Sequence, residues 1–349
     1  MKQERFAAAV LGVSMLAMAQ QPPKVVNAQF HAEPAGAGLS AAVERFQQVN
    51  GPAWLGYQVP ALLQSRFYAC PDDSDGSMDD GCCGVYRLED SGHSFTSSKG
   101  NAPADSSMDI LVRIDHGAVD KIRFVSSGCP LDAGGLPFTW LTGVEADDSV
   151  AWLASLTSAD DRTRTDEALA AIALHRTEKA TTTLANFASS ANPLWLREKG
   201  AFWLGAERGH EGLLVLEKLA ADPDPEFRAR LAFDLSLCHE PGAIDDLIRM
   251  AKSDTDTRVR EQAIFWVGQA AGVKAVATLK GAIRNDPEVA VKKKAVFALS
   301  QLPKDEAVPD LLEVAKTNPD PEVRKEAIFW LGQTHDPCAL AYFEQILEH

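Results

Sequence analysis

The chain lacks an excess of positive charge. It carries 34 Lys and Arg residues against 49 Asp and Glu residues, a formal net charge of −15. A strongly acidic surface repels phosphate backbones, so we expect no nucleic-acid partner. Such a surface is typical of solvation, although it would also favour basic partners.

Long hydrophobic runs are missing too, apart from one near the N-terminus. The apolar segment 6–19 follows a positively charged start and is too short to span a bilayer comfortably. Ala17 and Ala19 form an A-x-A cleavage signal, and a second candidate ends at Ala28. The pattern predicts a signal peptide over residues 1–28, cleaved after 19 or 28. The protein would then be exported to the periplasm or the extracellular medium, without spanning the membrane. An uncleaved anchor is the alternative.

Cysteine is scarce, and no C-x-x-C unit occurs among the six residues. After export, clustered cysteines normally form disulfides. A bond between the adjacent Cys82 and Cys83 would be strained. We therefore expect two bridges that join Cys70 and Cys129 to these two residues. Cys238 and Cys338 are expected to be free. A metal or redox site is the alternative, but no His stands at ligand spacing. The four disulfide candidates are Cys70, Cys82, Cys83 and Cys129.

What the chain does contain is an internal repeat. Five blocks keep a basic residue, a phenylalanine and a small residue in one register, and successive blocks are 31, 32, 32 and 32 residues apart. We interpret these as structural repeat positions. The basic residues are Arg197, Arg228, Arg260, Lys292 and Arg324, the phenylalanines are Phe202, Phe233, Phe265, Phe297 and Phe329, and the glycines are Gly205, Gly268 and Gly332.

Each unit predicts two helices. The first follows a turn rich in Pro and Asp, with Asp224 and Asp320 as N-caps and a proline at the first helical position. The glycines mark the end of this helix or a close approach that leaves no room for a Cβ. A single pair cannot bury its apolar face, whereas stacked pairs can.

Helical spacing of the aromatic residues predicts packing in the core or between repeats rather than ligand binding. We therefore expect Phe265 to face the interior between helix layers and its four counterparts to be equally buried. The Asp256–Arg260 and Asp320–Arg324 pairs have i,i+4 spacing, and the basic residue can also reach the acid of a neighbouring repeat. This ladder would hold the repeats in register.

The motif D-x-x-x-R-x-x-A-x-x-x-(L/V)-G, at 256–268 and 320–332, resembles the HEAT and HEAT-like (PBS-lyase-type) repeat family. The resemblance implies an α-solenoid of about six helix pairs over residues 165–349 and no specific function. The whole chain is also similar to secreted bacterial HEAT-repeat proteins with a Cys-containing N-terminal region.

Residues 30–145 predict a small α+β domain that contains the clustered cysteines. Alternating runs at 109–115 and 119–126 flank the turn at Gly117 and predict a hairpin. A helix is expected from Ser40, and another, capped at 147–149, lies in a connecting segment over residues 146–164. The predicted fold class is thus an α-solenoid preceded by a small α+β domain.

Two loop motifs could each be an ion-binding site or an ordinary solvated loop or turn. The acidic run 71–81 has enough oxygen ligands for Ca²⁺, but the loop register puts Gly84 where a bidentate Glu is required, which favours a solvated loop. The two glycines of 131–137 could form an anion-binding nest. A turn is the simpler interpretation.

Two His-Glu pairs, at 210–211 and 239–240, need comparison with HEAT-type deoxyhypusine hydroxylases, which bind two irons through such pairs. In that family the pairs lie inside helices and are more numerous. Here both are expected after the small residue of each block, in the turn between helices, so we do not expect a converging site. His175 occupies the small position of a weaker repeat block and is expected to be structural.

No catalytic, cofactor-binding or metal-binding residues are assigned from these patterns. The leading hypothesis is a secreted, non-enzymatic scaffold that binds an unknown protein or peptide through its repeat surface. The first alternative is an enzyme or metal site in the N-terminal domain, with acids such as Asp132 or the cysteines. The second is a lyase-like HEAT protein similar to bilin lyases, against which the export signal argues.

Overall fold

The computed structural model describes residues 22–48, 51–62, 66–70, 84–90, 94–98, 106–270 and 272–348, with backbone only at 66–70 and 94–98. The predicted signal sequence up to residue 21 and the acidic run 71–81 lie outside these residues. No helix within the described ranges is both long and apolar enough to cross a membrane.

The N-terminal region is built from short strands. In chain order they are β1 (Val25–Val26), β2 (Gln29–Pro34), β3 (Ala53–Pro60), β4 (Arg66–Cys70), β5 (Tyr86–Arg87), β6 (Ser94–Ser98), β7 (Ser107–Asp115), β8 (Ala118–Ser126), β9 (Leu131–Asp132) and β10 (Pro137–Thr142).

Five of these strands form the central sheet, in the order β2-β10-β3-β7-β8. β10 runs parallel to both of its neighbours, whereas β3, β7 and β8 are antiparallel. The predicted hairpin is confirmed, because β7 and β8 are joined at His116 and Gly117, which both have positive φ as a tight primed turn requires. Gly56 of β3 has no room for a Cβ, which would lie 2.9 Å from Phe138.

Helices make up the rest of the described chain. They are α1 (Leu39–Phe46), α2 (Ala146–Ser155), α3 (Arg162–Leu174), α4 (Glu178–Phe187), α5 (Leu194–Glu207), α6 (Gly209–Leu219), α7 (Pro225–Leu237), α8 (Pro241–Ser253), α9 (Thr257–Ala270), α10 (Val273–Asn285), α11 (Val289–Ser300), α12 (Lys304–Thr317), α13 (Pro321–Thr334) and α14 (Pro337–Leu347).

From α3 to α14 the helices form six antiparallel pairs, and the odd-numbered first helices stack in one layer. These first helices pack more closely on one another than the second helices do, so the array curves with the first helices on its inner side. The fold is an α-solenoid preceded by a small domain with mixed sheets. Asp224 and Asp320 cap α7 and α13 as predicted, each with Pro at the first helical position. The predicted cap of α2 is wrong, because its N-cap is Glu145 and Asp147 and Asp148 lie inside the first turn.

The predicted burial of the phenylalanine series is wrong. Phe202, Phe233, Phe265 and Phe297 are half-buried, and Phe329 is 56% exposed. The first four lie on the first-helix layer, where each ring contacts an aromatic ring of the next repeat, and Phe329 contacts Trp330 of its own helix. The fully buried positions are the neighbouring small and aliphatic residues, such as Ala263, Ile264 and Val267 in α9.

Three of the five basic repeat positions form ion pairs between repeats. Arg197 binds Asp222 at 2.6 Å, Arg228 binds Asp254 at 2.8 Å, and Arg260 binds Asp286 at 2.8 Å, each acid lying in the turn before the next first helix. The alternative i,i+4 pairing is wrong for Arg260, since Asp256 instead accepts bonds from the backbone N–H groups of residues 258 and 259. Arg324 likewise donates to the Asn318 carbonyl. Because both partners are largely buried, these pairs fix the register more firmly than exposed pairs would.

Two of the three repeat glycines allow helices to approach closely. A Cβ on Gly205 would lie 2.3 Å from the backbone oxygen of Asp234, and one on Gly268 would lie 2.9 Å from the Cβ of Ala298. The same position at Gly332 has open space around it. Close approach, rather than helix termination, therefore explains the first two glycines.

A buried polar chain joins the sheet to the array. Tyr57 on β3 and Ser149 on α2 share a hydrogen bond of 2.9 Å, and Ser149 bonds Nε2 of His175 at 2.8 Å. The Nδ1 of His175 lies 2.7 Å from the Ala171 carbonyl, so Nδ1–H must donate and Nε2 must accept. Next to it, the guanidinium of Arg208 donates to the carbonyls of Ala173, His175 and Thr177 at the end of α3. His175 is structural, as predicted.

Candidate functional site

A large cavity lies between the N-terminal domain and the inner side of the array. It has a volume of about 1110 Å³. One wall is Tyr86 and the middle of β8, and the other is the first-helix layer of α3, α5, α7 and α9. We call this cavity the inner cleft. It exists because the sheet packs on α2 and α3 and leaves the inner surface of the next three first helices uncovered.

The helical wall of the inner cleft is aromatic. Phe202 stacks on Phe233 with 6.2 Å between ring centroids, and Phe233 lies 4.7 Å from Trp266. Trp203 meets the edge of Phe202 at 5.0 Å. These four rings come from three successive repeats, so the repeat register itself builds a continuous aromatic surface.

Ion pairs border the aromatic surface. Arg123 on β8 binds Glu167 on α3 at 2.7 Å, and Glu167 also accepts the backbone N–H of Ile122. These contacts dock the array on the sheet. Two further pairs cross between helices. They are Lys199 with Asp166 at 2.9 Å and Arg230 with Glu198 at 3.3 Å.

Asp234 stands apart from these paired groups. It lines the inner cleft, is 4% exposed, and makes no hydrogen bond or ion pair with the described residues. Burial raises the pKa of its carboxyl well above the usual range, and the nearby charge of Glu198 raises it further. Arg230, one turn earlier on α7, cannot neutralise it because that guanidinium pairs with Glu198.

Sequence reasoning did not single out Asp234, although a signal was present. The residue after each repeat phenylalanine is aromatic in three of the five blocks, whereas α7 carries Asp. In block order the residues are Trp203, Asp234, Trp266, Ala298 and Trp330.

The sequence-predicted cysteine cluster is only partly visible. Cys238 and Cys338 are free, as predicted. Cys129 is buried and is not among the free cysteines. Cys82 and Cys83 lie outside the described residues, and for Cys70 only the backbone is described. The pairing of the four candidates therefore stays a prediction.

The glycine-rich segment 131–137 is a turn, as the simpler interpretation held. The Gly134 N–H donates to the Asp132 carboxylate at 2.9 Å, and the Gly135 N–H donates to the Asn27 carbonyl at 2.7 Å. An anion nest needs free N–H groups, and these two are already used. Asp132 also accepts from the Asn27 side chain at 2.9 Å, so it has a structural role.

The His-Glu pairs do not converge. His210 is exposed in the first turn of α6, and its neighbour Glu211 accepts from Thr181 of α4. His239 is also exposed, and Glu240 is the N-cap of α8. Within the described ranges, no three His, Cys, Asp or Glu side chains lie close enough together to hold a metal ion.

Comparison with known families agrees with the geometry. A model of HEAT repeats matches residues 213–289 and 276–349. Residues 213–349 are therefore similar to HEAT repeats, in agreement with the stacked helix pairs. No curated protein matches the chain.

Several solved structures are similar in part. The complex of CpcE and CpcF of phycocyanin lyase from Nostoc sp. PCC7120 is 23% identical over 43% of this chain and 97% of its own, with a TM-score of 0.34. Human deoxyhypusine hydroxylase is 16% identical over 57% and 90%, with a TM-score of 0.32. The protein YibA of Escherichia coli is 17% identical over 58% and 76%, with a TM-score of 0.36.

Proposed function

We propose that this protein is an exported scaffold that binds a protein or peptide segment in the inner cleft. The observation that carries the proposal is the cleft itself, an aromatic and ion-paired hollow of about 1110 Å³ built by four first helices and β8. Concave surfaces of helical arrays are the binding surfaces of this architecture. Aromatic side chains with paired charges around them are typical of protein interfaces.

The volume favours a chain segment over a small ligand. Pockets for small molecules hold about 300–1,000 Å³, and the inner cleft, at about 1110 Å³, lies just above this range and is lined by four successive first helices. A protruding loop or an extended segment fits such a groove.

Export is part of the same proposal, and β1 favours one of the two predicted cleavage sites. Val25 and Val26 pair with Leu131 and Asp132 of β9. Cleavage after Ala28 would remove β1, whereas cleavage after Ala19 keeps it. We therefore propose a mature protein that begins at Gln20. Intact-mass measurement of exported protein tests this, and a retained Met1 would contradict it.

Site-directed photo-crosslinking tests the binding surface. Gln262 is an exposed residue of α9 that lines the inner cleft, and Asp305 is an exposed residue of α12 that does not line it. A photoreactive phenylalanine analogue at 262 should give a discrete adduct in the native envelope fraction, and the same analogue at 305 should not. Ala229→Trp, which fills the cleft from α7, should abolish the adduct without lowering the melting temperature. Equal adducts from both positions would refute this surface.

A further inference from the structure

We infer that the inner cleft recognises a basic side chain, lysine or arginine, on the bound peptide segment, and that Asp234 is the residue that holds its cationic group. This inference rests on the proposed peptide-binding function and names the chemistry of the partner. Four observations support it: the unpartnered carboxyl, the rings that line the same cavity, the charge balance of the walls and the position of the residue in the repeat.

The first observation is a buried carboxyl with no partner among the described residues. Removing a carboxylate from water costs several kcal/mol unless a cation and hydrogen-bond donors replace the water. The other buried acids of the described chain have partners, since Asp286 pairs with Arg260, Asp246 pairs with Arg249, and Asp109 accepts hydrogen bonds from Ser127 and Gln58. Asp234 has none, yet it lines the cleft where a partner can reach it.

The second observation is the ring system that lines the same cavity as that carboxyl. Phe233 is its neighbour in sequence and contacts both Phe202 and Trp266, and all three rings line the same cavity. Aromatic faces attract ammonium and guanidinium groups within about 6 Å, with tryptophan the strongest. Aromatic faces beside one carboxylate therefore form a site for an organic cation, and the alkyl stem of a lysine or arginine packs on the same rings.

The third observation is the charge balance of the cleft walls. Six acidic and four basic residues line the cavity. Arg123, Lys199 and Arg230 already bind wall acids, and Arg258 lies 3.6 Å from Asp256 at the start of α9. Glu226 and Glu261 line the cleft without an ion pair to the described residues. The cleft is thus short of positive charge and would repel an acidic segment.

The fourth observation is positional. At the position after the repeat phenylalanine, α5, α9 and α13 carry Trp and α11 carries Ala298, whereas α7 carries Asp234. A buried aspartate at this position costs desolvation energy, which is typical of a functional site.

Peptide selection followed by matched substitutions tests the inference. Immobilised wild-type protein is offered blocked heptapeptides with random flanks and a fixed central lysine, arginine, norleucine or glutamate, and bound peptides are identified by mass spectrometry. We expect enrichment of the lysine and arginine centres. The best peptide is then titrated against wild type, Asp234→Asn and Asp305→Asn, the last being an equal charge change at an exposed site outside the cleft.

Asp234→Asn should weaken binding by about tenfold or more, because the buried cation loses its counter-charge. Replacing the central basic residue of the peptide with norleucine should weaken binding to wild type equally and should have little effect on Asp234→Asn. Asp305→Asn should bind like wild type. Because Asn is close in size to Asp, melting curves should show that this variant is folded.

The possible failures are distinguishable. If peptides are selected without a basic preference, or if Asp234→Asn binds them like wild type, the cation site is refuted and peptide binding in the cleft still stands. If wild type selects no peptide and gives no crosslink at residue 262, both proposals fail. If lysine methyl ester alone binds as tightly as the selected peptide, the occupant is a small cation and the peptide assignment is overturned.

Discussion

His175 links the stability of the protein to pH through a single proton. Burial, together with the nearby charge of Arg208, lowers the pKa of His175 to about 4. The ring is therefore neutral in the folded protein at neutral pH. The Nε2 atom must stay unprotonated to accept from Ser149. In the unfolded chain the same ring titrates near 6.5. The unfolded state therefore binds the extra proton first as pH falls.

We predict that stability is lost as pH falls from about 6.5 to 4, by about 3 kcal/mol from this residue. His175→Gln should be less stable at pH 7, because packing changes, but should lose less stability than wild type over that interval. Urea unfolding at pH 7, 5.5 and 4.5 measures the difference. Parallel pH profiles for the two proteins would show that another group controls the acid transition.

The contribution of Asp234 to stability should depend on pH with the opposite sign to that of His175. Its raised pKa means that folding favours the protonated carboxyl, so its contribution is full below the unfolded pKa and is lost as pH rises through the folded pKa. We predict that Asp234→Asn is more stable than wild type at pH 7 and equal to it near pH 3. Thermal melts at the two pH values test this. A variant that is less stable than wild type at pH 7 would show that the Asp234 carboxyl makes a stabilising contact within the folded protein.

The helix pairs and their stacking could be predicted because the signals are local and repeated. Asp-Pro turns start α7 and α13, and a 32-residue spacing sets the unit. The face that each side chain occupies could not be read so directly. Periodicity groups Phe265 with one face of α9, but it does not say which face neighbouring helices cover. Small and aliphatic residues fill the narrow gap between helix layers, and the larger rings are left to stack on the open inner side.

The candidate site was beyond sequence reasoning for a different reason. Its walls come from Tyr86, β8 and four repeats, and nothing in a single sequence places those segments next to each other. Only the Asp at a position occupied by Trp in α5 and α9 hints that α7 is different. That difference can be interpreted only when the inner surface is known to be open. This knowledge depends on the contact of β8 with α3 through Arg123 and Glu167, which the sequence does not show.

The corrected register of α9 makes a prediction for that helix. Ile264 is fully buried between helix layers, whereas Phe265 is half-buried and stacks on Phe297 at 6.0 Å. Ile264→Ala should cost about 2–5 kcal/mol. Phe265→Ala should cost about 1–2 kcal/mol, because only part of its surface is removed from water. Gln262→Ala, at an exposed position of the same helix, should change stability by less than about 0.5 kcal/mol.

Urea unfolding of these three variants gives the order directly. A larger loss for Phe265→Ala than for Ile264→Ala would restore the interior assignment of the phenylalanines. It would also remove the open aromatic surface on which the inner cleft depends.

One apolar core runs through both parts of the molecule. The buried cluster that contains Leu55 and Tyr57 of the sheet continues through Leu153 and Ile172 into the last helix pairs. An array of helix pairs needs its end faces covered, since each pair is stabilised mainly by its neighbours. The N-terminal domain covers the face of α2 and α3, and the chain of Tyr57, Ser149 and His175 fixes it there.

The shared core predicts unequal effects of removing the two ends of the array. A protein reduced to residues 146–349 loses the sheet that covers α2 and α3, together with one wall of the inner cleft. Its melting temperature should fall by about 10 °C or more, since each kcal/mol is worth roughly 2–4 °C at this size.

A protein that ends at residue 320 loses only α13 and α14. Leu340 and Phe329 of these helices are largely exposed even in the full chain, so the melting temperature of this truncated protein should fall less. Thermal melts followed by circular dichroism compare the two truncations. If residues 146–349 melted at the same temperature as the full chain, the N-terminal domain would be an independent unit, and its contact with β8 could not hold the cleft in shape.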